Sequence, residues 1–233
     1  MSALKFEDQK FPENLGLSDY ARLAEQFIPG RKAIFAITEA SLLELLPKGN
    51  ARILIVGAGG GEEILCLGHN NPDWSFVGID TFQPMVDLAL QRLSATPMSA
   101  RSTVLNGTIE NLDDKEFDAA TCILTAHFVP DDGAKLEFLK AIHARLKPGA
   151  PLVIVDGVGA TGDAQTELLR RIWQRHAVVN GVAEGVAAAN AENFRKVAVV
   201  TVAREEELLT EAGFARLTPI FRGIAIHGWL ALA

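Results

Sequence analysis

Two cysteines in 233 residues, Cys66 and Cys122, are too few for a disulfide framework. Each sits inside an apolar segment, which predicts small core side chains in a reducing compartment. Positive charge is also in short supply: 22 Lys and Arg against 29 Asp and Glu leave a formal charge of −7. Nucleic acid and anionic membrane both need a concentrated basic face, so neither is expected as a partner. No apolar run reaches membrane-spanning length and no cationic N-terminus precedes one, so a cytoplasmic protein is expected. No group of His, Cys or carboxylates has metal-ligand spacing, so no metal is expected. What remains is ordinary globular composition, 48% hydrophobic and 22% charged. The chain is long enough for one well-buried α/β domain and short for two.

Residues 1–17 are polar and turn-rich. Ser18 reads as an N-cap for a helix that Pro29-Gly30 breaks, and a second helix fits residues 31–46, ended by Pro47-Lys48-Gly49-Asn50. From there short apolar strands alternate with helical segments, the signature of a parallel sheet with crossover helices. Strands are expected at residues 53–56, 76–79, 103–105, 119–124 and 152–155, with a helix before the last presenting Leu136, Leu139, Ile142 and Leu146 on one face. Residues 158–200 read as mostly helical, with Leu169, Ile172, Trp173 and His176 on one stripe. A helix at 205–212 and a strand pair at 215–221 and 225–231 close the chain.

The chemistry concentrates where the first strand ends, in Val56-Gly57-Ala58-Gly59-Gly60-Gly61-Glu62-Glu63. A turn that brings backbone close to a ligand excludes side chains at Gly57, Gly59 and Gly61, and the helix behind it offers unpaired N–H groups. A dinucleotide site would want a glycine where Glu62 stands, and Glu62 with Glu63 would repel a pyrophosphate. A ligand with a cationic amino group tolerates them. Asp80 follows the turn by the interval that suits a ribose-binding acid, about 20 residues; its other reading is a cap for the helix starting near Gln83.

The ordered segments resemble those of class I S-adenosylmethionine-dependent methyltransferases. They are Val56-Gly57-Ala58-Gly59-Gly60-Gly61, Val77-Gly78-Ile79-Asp80 with Pro84-Met85, Phe117-Asp118 leading into Leu124-Thr125-Ala126-His127-Phe128-Val129-Pro130, and Leu146-Lys147-Pro148-Gly149. Glu206-Glu207-Leu208-Leu209, Ala212-Gly213-Phe214 and Gly228-Trp229-Leu230 extend the likeness, which covers about residues 20–231. The resemblance implies a doubly wound, mostly parallel seven-stranded α/β sheet with an antiparallel C-terminal hairpin, and S-adenosyl-L-methionine as cofactor. It divides the chain into an N-terminal helical cap (1–50), a cofactor-binding core (51–157 and 201–233) and a helical lid (158–200). It also assigns Gly57, Ala58, Gly59 and Gly61 to the loop under the methionine part, Asp80 to the ribose, and Thr81 with Met85 to the adenine. Thr108 and Ile109, in the segment Asn106-Gly107-Thr108-Ile109-Glu110, match the adenine loop; Ile123, Leu124 and His127 line the methyl-donor end. Two departures stand out: many members carry an acid two residues before the first glycine, where this chain has Ile55, and the acid common in the adenine loop is replaced by Thr108.

His127 is the candidate general base, with a pocket wall as its other reading. Tyr20, Trp173 and His176 are candidate acceptor contacts, each with packing as the alternative. Arg170 or Arg171 would share the lid's inner face. The activity expected is methyl transfer to a small-molecule acceptor by direct displacement, with a homodimer as the possible assembly. One alternative keeps the fold: a tRNA-modification enzyme of the wobble-uridine branch, using or making carboxy-S-adenosylmethionine. The Pro29-Gly30 segment is similar to that branch, and Arg22 and Arg31 could pair with the added carboxylate. The other alternative is a non-catalytic protein that binds the donor.

Overall fold

The computed structural model describes residues 19–233. Ser18, expected as a helix cap, lies outside the described residues. Two helices open the fold, α1 (Tyr20–Phe27) and α2 (Arg31–Leu45), joined through Gly30 in the left-handed conformation. Five parallel strands follow: β1 (Ala51–Val56), β2 (Trp74–Asp80), β3 (Ser102–Asn106), β4 (Ala119–Ile123) and β5 (Pro151–Gly157). Their crossovers hold α3 (Glu62–Asn70), α4 (Gln83–Ser94) and α5 (Ala134–His143). After β5 come α6 (Ala164–Val179), α7 (Glu184–Phe194) and α8 (Val202–Glu211), then the antiparallel pair β6 (Ala215–Gly223) and β7 (Ile226–Leu232). The strand order is β3-β2-β1-β4-β5-β7-β6, with β7 antiparallel to β5. This is the α/β architecture expected from the alternating pattern, with the terminal hairpin inserted at the sheet's edge.

Alternation along the strands sends side chains to two separate cores. Ile53, Ile55, Ala119, Val153 and Val155 face α2, α3 and α4, which contribute Ile34, Leu42, Ile64, Leu67, Val86 and Leu93. Leu54, Val56, Ala120, Cys122, Leu152 and Ile154 face α5 and α8, packed on Phe138, Leu139, Ile142, Leu208 and Leu209. A strand covered on both faces reads as a continuous apolar run, which is why β1 and β5 are legible without periodicity. Trp229 of β7 is buried on the second face and donates Nε1–H to Glu206 Oε1 at 2.9 Å.

Two expectations need correction. Cys122 is a core residue, but Cys66 is exposed. The buried face of α3 carries Glu63, Ile64, Leu67 and Gly68, so helical phase turns position 66 outward. In α6, Ile172 faces solvent rather than sharing a buried stripe with Trp173. Trp173 instead packs between Phe27 of α1 and Phe194 of α7, with ring centroids at 5.2 and 5.4 Å. That aromatic cluster, with Gln26 Nε2 donating to the Asn180 carbonyl, ties the N-terminal helices to the 158–200 region.

Candidate active site

A cavity of about 520 Å³ opens at the carboxyl ends of β1, β2 and β4, where the strand order reverses between β1 and β4. Open parallel sheets place their ligand crevice at this switch point. The turn after β1 forms its floor. Gly57 has φ +77°, and a Cβ there would come within 2.0 Å of Thr125 Oγ1, so only glycine fits. Gly59 has φ +49° and a Cβ there would meet nothing within 4 Å. The missing side chain at Gly59 keeps the cavity open, and the one at Gly57 lets β1 and the loop after β4 approach. Gly61 plays a third part: its Cβ would press on Ala89 at 3.1 Å, so it sets the packing of α3 on α4.

Asp80 ends β2 and holds this turn. Its Oδ2 accepts the Gly59 N–H at 2.8 Å and its Oδ1 accepts the Phe82 N–H at 2.9 Å. Burial pushes its carboxyl pKa up, and those two backbone donors pull it back in part. Asp80 is thus a strand-end carboxylate at the cavity wall rather than the cap residue of α4, which is Phe82. On the far wall Leu124, at φ +56°, turns the chain after β4; its N–H donates to the Val155 carbonyl at 2.6 Å. A non-glycine residue held in the left-handed region beside a cavity is a strained position that tertiary contacts maintain.

The structure brings Gly57, Ala58, Gly59, Asp80, Thr81, Thr108, Ile109, Ile123 and Leu124 to this one cavity. The other expected residues stand elsewhere. Met85 is fully buried on the inner face of α4, and Gly61 lies behind the turn. His127 turns away from the cavity: it is buried, and its Nδ1 is bonded to Asp156 Oδ1 on the α5/α8 face of the sheet. Trp173 and His176 do not line the cavity; His176 sits one turn before Asn180 on α6, and Arg170 is bonded to Glu167. The Tyr20 side chain lies outside the described residues.

Several cavity residues escaped the sequence reading. Phe35 of α2, Thr125, Phe128 and Val129 after β4, and Phe138 of α5 complete the apolar wall with Ala24, Ile28 and Ile34. Arg31 and Glu62 meet at the cavity wall, Nη2 to Oε2 at 2.8 Å, with Arg31 Nη1 also 3.9 Å from Glu25 Oε2 and its guanidinium 4.8 Å over the Phe35 ring. Glu63 lies deeper, with its pKa raised to about 7 by burial, against the pull of Thr121 and Arg31. The sequence signal for Glu63 was present: it shares a helical face with Ile64 and Leu67, which points it at the sheet.

A glycine turn open to a cavity, a strand-end acid and a seven-stranded sheet ending in an antiparallel hairpin define a Rossmann-like fold whose terminal hairpin departs from a plain dinucleotide-binding sheet. The methyltransferase-domain family model matches residues 54–152, the segment that contains the turn, Asp80 and the strand after it. Over that segment the chain is similar to methyltransferase domains, and S-adenosylmethionine is the cofactor that this likeness and the fold support. Among curated proteins, it is 25% identical over 183 residues to a carboxy-S-adenosyl-L-methionine synthase of Actinobacillus succinogenes, covering 77% of this chain and 74% of that protein. Among solved structures, it superposes on a methyltransferase from Aquifex aeolicus with TM-score 0.60 and 19% identity, over 94% of this chain and 99% of that one. An O-methyltransferase family protein from Burkholderia thailandensis gives TM-score 0.67 at 13% identity; 92% of this chain is covered but only 59% of that longer chain. Among the described residues no group of side chains is placed to hold a metal, and no helix is long and apolar enough to cross a membrane.

Proposed function

We propose that this protein transfers the methyl group to a small, largely apolar acceptor bound beside the cofactor. The observation that carries this reading is the cavity wall beyond the glycine turn: Ile28, Ile34 and Phe35 from the N-terminal helices and the link between them, Phe128 and Val129 from the turn after β4, and Phe138 of α5. S-adenosylmethionine, when bound, supplies a methyl already activated on a sulfonium, so the protein's task is alignment and exclusion of water. Gly57 to Gly60 give backbone access, Asp80 has oxygens placed to accept from ribose hydroxyls, and Thr81, Thr108 and Ile109 border the adenine end. Helices α1 and α2 and the helices of residues 158–200 form the cover, with Trp173 as the aromatic link between its two parts rather than an acceptor contact. In this reading His127 supports the loop after β4 from below and does not touch the acceptor. Incubating the protein with labelled S-adenosylmethionine and a panel of small hydroxylated and amino aromatics, with mass detection of products, tests the reading. Label transfer only to polar or macromolecular acceptors would overturn it.

A second reading has its own support. The Actinobacillus relative is named for making carboxy-S-adenosyl-L-methionine. Arg31, buried at the cavity on the helix after Pro29-Gly30, is a cation that could receive such an added carboxylate. Mass spectrometry of the nucleoside released from the purified protein separates the two: carboxylated ligand supports the second reading, and unmodified donor or its demethylated product supports the first.

A further inference from the structure

Four carboxylates line the cavity, and three of them are accounted for. Glu62 is bonded to Arg31, Asp80 accepts two backbone N–H groups, and Glu110 is exposed to solvent. Glu63 differs from all three. It is only 7% exposed, it lines the cavity next to Gly57–Gly60, and its Oε1 has no hydrogen-bond partner. A buried carboxylate oxygen without a hydrogen bond is costly. Asp156 and Glu205 on the other face of the sheet carry such oxygens too, but Lys135 stands 3.8 and 3.5 Å from them. Glu63 has only the Thr121 hydroxyl and Arg31 to favour its charge, and it faces a cavity.

The surrounding charges say what that something is. Arg31 stands among Glu25, Glu62 and Glu63, and the cavity's other arginine, Arg92, is bonded to the Gly60 carbonyl at 3.1 Å, so the four cavity acids outnumber two engaged guanidinium groups and the site is left net negative. The two residues before the turn, Ile55 and Val56, are buried aliphatics and offer no polar group. Register places Thr121 directly opposite Ile55 on the sheet, and Thr121 is the residue Glu63 reaches from α3. A carboxylate on the helix therefore arrives at the same patch of the sheet face that a side chain at position 55 occupies from the strand.

We infer that Glu63 is the binding residue for the α-ammonium group at the methionine end of the cofactor. This rests on the cofactor assignment given above, and deepens it by naming the group that selects the amino-acid end. An ammonium offers up to three donors to a carboxylate, so it completes Oε1 and neutralises the excess negative charge in one contact. Because burial raises the Glu63 pKa to about 7, binding of an ammonium group there at neutral pH should release a proton. The groups facing it are Arg31 of α2, Glu62 and Cys66 of α3, and Cys122 of β4, of which Cys66 and Cys122 are pushed up by burial and stay neutral thiols.

Calorimetric titration of the full chain with three ligands tests this: S-adenosylhomocysteine, its analogue lacking the α-amino group, and methylthioadenosine, which lacks the whole amino-acid part. The wild type should prefer S-adenosylhomocysteine to the deamino analogue by at least about tenfold, as expected for one charge-assisted contact. Glu63→Gln should erase that preference while leaving methylthioadenosine affinity unchanged, which also reports an intact fold. Heats measured in two buffers at pH 7 should show proton release by the wild type and none by Glu63→Gln. A wild type that binds S-adenosylhomocysteine and its deamino analogue equally well overturns the inference without any variant. So does a Glu63→Gln protein that keeps the preference. If methylthioadenosine and S-adenosylhomocysteine both fail to bind the wild type, the cofactor reading itself has failed.

Discussion

Two acidic clusters are buried at the carboxyl ends of the strands, one on each face of the same sheet, and their fates differ. On the α2/α3 face, Glu63 sits beside Thr121 and Arg31 and lines the cavity. On the α5/α8 face, Asp156 of β5 and Glu205 of α8 surround Lys135 of α5, with Nζ at 3.8 Å from Asp156 Oδ2 and 3.5 Å from Glu205 Oε2, and His127 bonded to the other Asp156 oxygen. Lys135, Asp156 and Glu205 are fully buried. The closed cluster carries its own cation and histidine; the open one lies beside an arginine already engaged by Glu62. Burial raises the Glu205 pKa, aided by the nearby Asp156 charge, and Lys135 works against both. A buried cluster balanced by its own residues is a structural element; one left short of positive charge beside a cavity is a binding site.

The sharpest way to break this contrast is Lys135→Met. It leaves two buried carboxylates without their cation, and unfolding free energy should fall by about 3–5 kcal/mol in urea titrations, while S-adenosylhomocysteine affinity in the remaining folded protein holds. Matching losses of stability and ligand affinity would show that the two faces are coupled.

Glu63→Leu should do the opposite. The folded pKa of Glu63, about 7, lies above the ordinary value of 4.5, so the folded state keeps a proton that the unfolded state releases. Below about pH 4.5 the group has no effect on stability; as pH rises through 7 the folded state loses stability, by about 3 kcal/mol in total. The variant should therefore be more stable than the wild type by up to about 3 kcal/mol at pH 8 and by little at pH 4, with thermal melts across pH as the readout. It should also bind cofactor more weakly. A stability difference that does not change with pH would show that Glu63 does not titrate in this range.

Asp80→Ala comes next in size. Losing the ribose contacts and the brace on Gly59 should weaken S-adenosylhomocysteine binding by about 2 kcal/mol, roughly 30-fold. An unchanged Kd with the fold intact would place the ribose elsewhere. His127→Gln should have the smallest effect on function. With its ring in the closed cluster, the variant should lose about 1 kcal/mol of stability and change turnover by less than about tenfold. A general base would instead cost about 100-fold or more in turnover at unchanged cofactor affinity.

The contrast also shows which parts of the site were legible. Gly57, Gly59 and Asp80 are recognisable because backbone conformation and strand ends restrict which residues can stand there. Glu63 stands in the first turn of α3, where an acid serving the macrodipole is equally expected, so its sequence position does not single it out. His127 follows a strand, and a residue just after a strand can turn to either face; the 3₁₀ turn at Ala126–Phe128 sends His127 to the α5/α8 side and Phe128 to the cavity. Lys135 reads as a surface lysine, yet it occupies the inward face of α5 with Phe138, Leu139 and Ile142 because two acids from β5 and α8 converge there. Cys66 shows the same limit at one position, since an apolar neighbourhood in sequence does not say which side of a short helix a residue takes.

The strand–helix alternation, the glycine turn and the acid at the end of β2 are written in the residues, because they follow from local rules: apolar runs bury, glycine alone tolerates the turn, and chain direction places strand ends together. Only the tertiary structure decided which buried charges balance one another. That depends on residues 21 to 70 positions apart meeting across a sheet, as Lys135 does with Asp156 and Glu205, and no local pattern encodes the face on which a carboxylate finds, or lacks, its cation.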